Sequence, residues 1–309
     1  MTSALVTGGA GFIGSHLVFS LLEHGYQVKV LDNLSTGNQE NLALFIDHVD
    51  FIHGDIRDKA LVKSCLRGVD VVFHLAAQIS VAESMQDPGG CFDINVTGTN
   101  TLLQCSAESG VKRMVISSSA AVYGDQGQLP IMEDTELRPL SPYAASKLMD
   151  ETLAGMYSRS FNLPVTCLRY FNVYGPRQDP SSPYAAAIPI FIRQLLSGSN
   201  AILYGDGGQT RDFIYVADVA RANILAAENG SAEGAVMNIC TGQQISIMDL
   251  LTLLQQLIPG SHHVNKQPAR LGDIYHSYGN PLRAKELISF EASVSFSEGL
   301  ERTIEWMKK

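Results

Sequence analysis

Tyr143 and Lys147 stand four residues apart in Ser141-Pro142-Tyr143-Ala144-Ala145-Ser146-Lys147, so on a helix they share one face. A serine at the N-cap and a proline at the first helical position predict that a helix begins there. The pair offers base chemistry. A free phenol ionises near ~10, but an adjacent ammonium favours the phenolate and brings it towards neutral pH, where it can take a proton from an alcohol. The same spacing also describes many ordinary helix faces. What singles this one out is Ser117-Ser118-Ser119-Ala120-Ala121-Val122-Tyr123-Gly124, which ends the apolar run Met114-Val115-Ile116 in three hydroxyls. The carboxyl edge of an open α/β sheet is where such folds bind ligands. A serine there can hold the oxygen of the alcohol being oxidised.

A second constellation lies at the start of the chain. Thr7-Gly8-Gly9-Ala10-Gly11-Phe12-Ile13-Gly14 follows a strand pattern and opens a helical one. Glycines at 8, 11 and 14 allow a tight turn, close approach to a pyrophosphate, and helix-on-strand packing, with the helix N-terminus facing the negative charge. Alone the pattern also fits a plain structural turn. Asp32, eighteen residues after Gly14 at the end of the next strand, adds a carboxylate for the adenosine ribose hydroxyls. Its charge opposes a 2′-phosphate and its neighbours Asn33, Leu34 and Ser35 include no arginine, which favours NAD over NADP. A bound nicotinamide cation would add to the pull of Lys147 on the phenol. Asp55-Ile56 suits the adenine edge, or is simply a strand-end turn.

These residues need a scaffold that brings them together. Ala4-Leu5-Val6, Val28 to Leu31, Val49 to His53, Val71 to Phe73, Met114 to Ile116 and Val165 to Leu168 read as strands, most of them separated by helical patterns such as Ile13 to Leu22. The alternation predicts an α/β fold: a doubly wound parallel Rossmann sheet with helices on both faces. After Asn172 the texture changes. A Pro, Gly and Ser-rich stretch (175–183) leads to helices at 185–196 and 218–228 around a loop at 204–210, and a late strand at 236–240 fits a return to the sheet. Two helical stretches flank an irregular segment between 247 and 306. The expected division is an NAD-binding domain of residues 1–174, rejoined by about 213–240, and a smaller mixed α/β substrate lobe of 175–212 and 241–309.

Bulk properties narrow the function. The 309 residues are 45% hydrophobic and 17% charged, with net charge −9. That is globular composition, and the acidic balance argues against a nucleic-acid surface. Five scattered cysteines without a CxxC pair argue against a disulfide framework or a zinc site, so no metal is expected. There is no 18-residue apolar run and no signal-peptide pattern, which makes no membrane span and a cytoplasmic location the expectation.

TGGAGFIGSH (7–16), FHLAA (73–77), NVTGT (95–99), SSSAAVYG (117–124), SPYAASK (141–147) and LRYFNVYGPRQDP (168–180) together resemble the extended short-chain dehydrogenase/reductases. With GDGGQTRDFIYVAD (205–218) and RLGDIYHS (270–277), the chain resembles more narrowly the UDP-hexose 4-epimerases over nearly its whole length. The resemblance implies NAD as a tightly held cofactor and inversion at C4 through a 4-keto sugar. It implies Ser119 on the C4 oxygen, Tyr143 as base, and Lys147 orienting the nicotinamide ribose and tuning the tyrosine. Around the cofactor it places Gly8, Gly11, Phe12, Ile13, Gly14, Asp32, Asn33, Asp55, Ile56, Leu75, Ala76, Ala77, Asn95, Ser117 and Tyr170. Around the UDP-sugar substrate it places Asn172, Gln178, Tyr204, Arg211, Arg270, Asp273 and Ser277. Arg211 or Arg270 read alone is also a surface arginine, and Asp273 a turn residue. Such epimerases are usually homodimers joined through two helices per subunit, here near 97–109 and 143–160.

Neighbouring activities of the resembled family differ at readable positions. Sugar-nucleotide 4,6-dehydratases carry an Asp-Glu pair after the catalytic hydroxyl and UDP-glucuronate decarboxylases usually a glutamate, where this chain has Ala120 and Ala121. Neither alanine can ionise, so elimination and decarboxylation are disfavoured. Aligned on RLGD, Ser277 takes the place of a bulky tyrosine in many glucose/galactose epimerases, leaving room for a C2 N-acetyl group, and 177–189 resembles epimerases that prefer acetylated sugars. UDP-GlcNAc/UDP-GalNAc is therefore expected beside UDP-Glc/UDP-Gal, although Ser277 is also simply a loop serine. Two other readings stay open: a UDP-glucuronate 4-epimerase using Arg177 for the C6 carboxylate, and a non-catalytic NAD sensor, disfavoured because Ser119, Tyr143 and Lys147 are all retained.

Overall fold

A computed structural model describes residues 1–180, 187–260, 263–269 and 274–309. Seven strands form the central sheet: β1 Ser3–Thr7, β2 Gln27–Asp32, β3 Val49–His53, β4 Val71–His74, β5 Arg113–Ser119, β6 Val165–Tyr170 and β7 Val236–Ile239. Their order is β7-β6-β5-β4-β1-β2-β3, and every pairing is parallel. The inner strands are covered on both faces, which is why they read as unbroken apolar runs rather than alternating ones. Because all run the same way, Thr7, Asp32, His74, Ser119 and Tyr170 end on one edge. The strand order reverses between β1 and β4, the point at which open α/β sheets form their ligand crevice.

Four helices matter most: α1 Phe12–Glu23, α2 Gly98–Ser109, α3 Pro142–Ser160 and α4 Val216–Glu228. α1 and α4 bury Leu17, Val18, Leu21, Val219, Ala220 and Ile224 on one face of the sheet. α2 and α3 bury Leu102, Leu103, Ala154 and Tyr157 on the other. α2 ends at Gly110 in the left-handed region, where a side chain would be strained.

The smaller lobe has its own core, with Phe191, Ile192, Phe213, Leu250, Leu254, Leu300 and Ile304 buried together. Its strands are short. Asn172–Tyr174 pairs with Phe213–Tyr215, and Thr210–Arg211 lies between Ile245–Ser246 and His276–Ser277. The expected loop at 204–210 thus lies between two strands, Ala201–Tyr204 and Thr210–Arg211. The segment 241–309 is not all lobe. Helix Leu282–Ile288 returns, and Ala284, Ile288 and Phe290 complete the core beside α4. Among the described residues no helix is long and apolar enough to cross a membrane.

Candidate active site

The loop between β1 and α1 is shaped by backbone crowding. Gly8 has φ of 71°, and a Cβ there would sit 2.7 Å from the Ala76 nitrogen; one on Gly14 would sit 2.1 Å from the Gly8 oxygen. Only hydrogen fits. Gly11 caps α1 without a side-chain acceptor, and the first turn carries no acidic residue, so the positive helix end stays open to an anion. Phe12 and Ile13 form that first turn, while Leu75, Ala76 and Ala77 leave β4 half-buried beside Gly8.

The buried Asp32 carboxylate accepts from Ala10 N–H at 2.9 Å and Leu34 N–H at 2.8 Å, which ties the end of β2 to the glycine loop. A Cβ on Gly37 would lie 2.9 Å from Asp32 Oδ1, so a glycine keeps that side of the carboxylate clear. An open helix end and a fixed carboxylate fit the two ends of an adenosine diphosphate. Asp55 is engaged within its own turn. It accepts from the Arg57 backbone and from two nitrogens of its guanidinium at 2.8–2.9 Å, and from Asn33 Nδ2 at 3.0 Å. Arg57 holds this carboxyl well below the usual range. Four donors fill its lone pairs, so an adenine amino group would have to displace one, and Ile56 is buried beside Gly98.

α3 begins as predicted, with Ser141 accepting from Ala144 N–H and Pro142 at the first position. Tyr143 is half-buried in its first turn; its N–H donates to Ser84 Oγ at 3.2 Å. Lys147, one turn on, is 3% exposed, and its ammonium donates to the Ser117 carbonyl at 2.9 Å. The three serines of β5 take separate tasks. Ser117 supplies that carbonyl, and Ser118 gives its hydroxyl to Glu151, which pairs bidentately with Arg169. Ser119 is left at the strand end, half-buried, its Oγ capping the turn Ala120–Tyr123 through Ala121 N–H at 3.2 Å. Ser119 thus stands at the carboxyl edge of the sheet, near the start of α3.

Two residues expected at the cofactor spend their side-chain groups on intraprotein bonds. Asn95 sits in a π-helical turn, 93–97, between two α-helical stretches. Its amide clamps the Gln78 backbone, accepting at 2.8 Å and donating at 3.0 Å, and donates to Ser146 Oγ at 2.9 Å. It fastens the loop after β4 to α3. The Tyr170 hydroxyl donates to Asn223 Oδ1 inside the core, and burial pushes its pKa well up. Only its backbone reaches the sheet edge.

On the lobe side, Ser277 pairs in register with Arg211, which places both on one face of the small sheet. Arg211 donates to the Thr210 carbonyl at 2.8 Å. Asn172 donates to the Asp212 carbonyl, and Gln178 Nε2 donates to the Val173 carbonyl at 3.3 Å while its buried Oε1 lacks a partner among the described residues. Tyr204 closes its strand with its carbonyl held by Gln209. Arg270 and Asp273, and 181–186 of the stretch expected to mark acetylated-sugar preference, lie outside the described residues. Arg177 faces Phe45, 5.6 Å from the ring centroid, beside His16 of α1. Phe45 also packs against Phe19 of α1, so Arg177 lies against α1.

The chain matches the NAD dependent epimerase/dehydratase family over residues 4–240. It is 40% identical over 306 residues to a putative UDP-glucose 4-epimerase of Methanocaldococcus jannaschii, covering 98% of each chain. Its fold superposes with TM-score 0.95 on the UDP-N-acetylglucosamine 4-epimerase of Methanobrevibacter ruminantium, solved with UDP-N-acetylmuramic acid, at 38% identity over 99% of this chain and 98% of that one. With the UDP-glucose 4-epimerase of Thermotoga maritima bound to UDP-glucose, the TM-score is 0.93 at 39% identity, over 99% of both chains.

Proposed function

We propose that this chain, which belongs to the NAD dependent epimerase/dehydratase family, inverts the C4 hydroxyl of a UDP-hexose and accepts the N-acetylated pair alongside UDP-glucose and UDP-galactose. The observation that carries the reading is the edge formed by β5 and α3. There Ser119 ends one element, Tyr143 opens the other, and the Lys147 ammonium is buried against the Ser117 carbonyl.

Bound NAD supplies a hydride acceptor and donor for C4 and is restored in each turnover, so no outside oxidant is required. The protein supplies placement and proton handling. Ser119 Oγ is positioned to hold the C4 oxygen, and Tyr143 takes that oxygen's proton and later returns it. Lys147 favours the phenolate through its fixed positive charge. Ala120 and Ala121 follow Ser119 in the turn and bring no acid or base, so loss of water or carbon dioxide from the sugar has no catalyst at that place. A uronate reading draws no support from Arg177, which packs against Phe45.

The lobe sets sugar choice. Ser277 stands in register with Arg211, so a residue at 277 borders the face that would hold the nucleotide sugar. A substrate panel tests the reading: UDP-GlcNAc, UDP-GalNAc, UDP-glucose, UDP-galactose and UDP-glucuronate, each followed to equilibrium from either epimer. Interconversion of both neutral pairs is expected. In Ser277→Tyr the acetylated pair should slow by about tenfold or more, the cost of a few kcal/mol of misfit, with the plain pair little changed. Equal slowing of both pairs contradicts the size gate, and turnover of UDP-glucuronate alone contradicts the substrate assignment.

A further inference from the structure

Seven residues beyond Tyr143, α3 carries Asp150, which is fully buried and faces away from any solvent that could hydrate it. Its Oδ2 lies 3.6 Å from the Lys147 ammonium, close enough for an ion pair and too long for a good hydrogen bond. Neither carboxylate oxygen has a well-formed hydrogen bond among the described residues. A buried carboxylate is costly unless its charge is used.

The groups around it are all accounted for. From α3 itself come Lys147 and Glu151, the latter already paired with Arg169. From α2 comes Thr99, from β4 His74 behind it, from β6 Cys167, and from helix Pro88–Phe92 Cys91. Burial pushes both thiols up and holds His74 down at about 3, so these three are neutral at working pH. The net local charge is therefore set by Lys147 and Asp150.

Hydrogen bonds link the same residues to the glycine loop. Ala76 N–H donates to Thr7 Oγ1 at 3.3 Å, and the same hydroxyl is hydrogen-bonded to His74 Nδ1 at 2.7 Å. His74 Nε2 is hydrogen-bonded to Thr99 Oγ1 at 2.8 Å, and Thr99 stands beside Asp150. A row of polar groups thus runs from the loop beside the dinucleotide site to the counter-charge of the lysine.

We infer that Asp150 is a positioning residue, the counter-ion that holds the Lys147 ammonium in place and sets the pH range over which Tyr143 works as a base. The inference rests on the Tyr143–Lys147 reading above. Tyr143 and Asp150 are about 10 Å apart along the helix, close enough in a partly buried site for one charge to move a pKa by about one unit. With the carboxylate present, part of the lysine's pull on the phenol is offset. Without it, the phenol should ionise at lower pH, and the ammonium, losing its partner, should give up its proton at lower pH as well.

The test is the pH profile of kcat and kcat/KM for the wild-type holoenzyme and the near-isosteric Asp150→Asn. Both limbs should move to lower pH by about half to one unit, with KM changing less than about twofold. Limbs that stay within about 0.2 unit, or move to higher pH, overturn the inference even if kcat falls, since that is what a packing role alone would give. Thr99→Val should move the limbs the same way by less, and it carries the test if Asp150→Asn does not fold.

A readout independent of turnover comes from stability. Burial, only partly offset by Lys147 and Thr99, raises the Asp150 carboxyl to about 6. The folded protein then keeps a proton that the unfolded chain releases, so this group costs stability as pH rises from about 4 to about 6. The thermal midpoint of Asp150→Asn should therefore gain on wild type across that window, and a loss there contradicts the inference. Failure of the parent reading is separate: it would appear as full activity in Tyr143→Phe, whatever Asp150→Asn does.

Discussion

Lys147 illustrates how a residue common on helix faces becomes chemical. It is buried, its ammonium is fixed on the Ser117 carbonyl, and it stands one turn from Tyr143. The serines beside it show the converse: three identical residues in a row carry three different tasks, Ser117 giving its carbonyl to the lysine, Ser118 its hydroxyl to Glu151 and Ser119 its oxygen to Ala121 N–H. His74 belongs to this scale too. Desolvation in the core holds its pKa at about 3, against ~6.5 in an unfolded chain. Its contribution is complete above about pH 6.5 and is lost as pH falls towards 3, because the unfolded state takes up a proton that the native state refuses. Urea unfolding at pH 7 and pH 5 should show a loss of about 1.4 kcal/mol per pH unit from this residue below 6.5. His74→Asn should remove that share of the slope; an unchanged slope contradicts the neutral, buried assignment.

At the scale of elements, the glycine loop makes the sharpest prediction. A Cβ at Gly14 meets the Gly8 oxygen at 2.1 Å, and that oxygen is backbone. Gly14→Ala should cost about 2–4 kcal/mol of stability through overpacking and release NAD, read by calorimetric unfolding and by the cofactor retained through purification. Retention of both would show that the loop is not shaped as described. That loop, α1, α3 and all seven sheet strands were legible in the sequence because each is a local pattern: an apolar run between turns, a cap with a proline, glycines at fixed spacing. The two- and three-residue strands of the lobe were not, since they exist only through partners some 35 or more residues away. Helix Leu282–Ile288 was missed as part of the main core for the same reason. Within the site, Asp150, Thr99 and His74 are unremarkable letters in three separate segments, and their relation appears only when β4, α2 and α3 pack. The face taken by the Tyr170 hydroxyl was not legible either, because a strand-end tyrosine does not reveal it.

The molecule as a whole works by interleaving. The chain leaves the sheet after β6, builds part of the lobe, returns through α4 and β7, then leaves and returns once more with Leu282–Ile288. Several crossings link the two parts, so the Ser119–Tyr143 edge and the Arg211–Ser277 sheet are held by one connected scaffold rather than by a hinge of one strand. Such a scaffold suits a reaction in which the sugar must be released by one face and recaptured on the other while its nucleotide stays bound. The claim at the centre is that one phenol, ionised by a buried ammonium, moves the C4 proton in a reaction that needs no outside oxidant. It is tested most directly by incubating NAD-loaded wild type and Tyr143→Phe with UDP-GlcNAc, without added oxidant or reductant, and following UDP-GalNAc. Wild type should reach the same mixture from either epimer, and Tyr143→Phe, folded and still holding NAD, should be slower by at least about 100-fold. Equal rates for the two proteins would contradict the account.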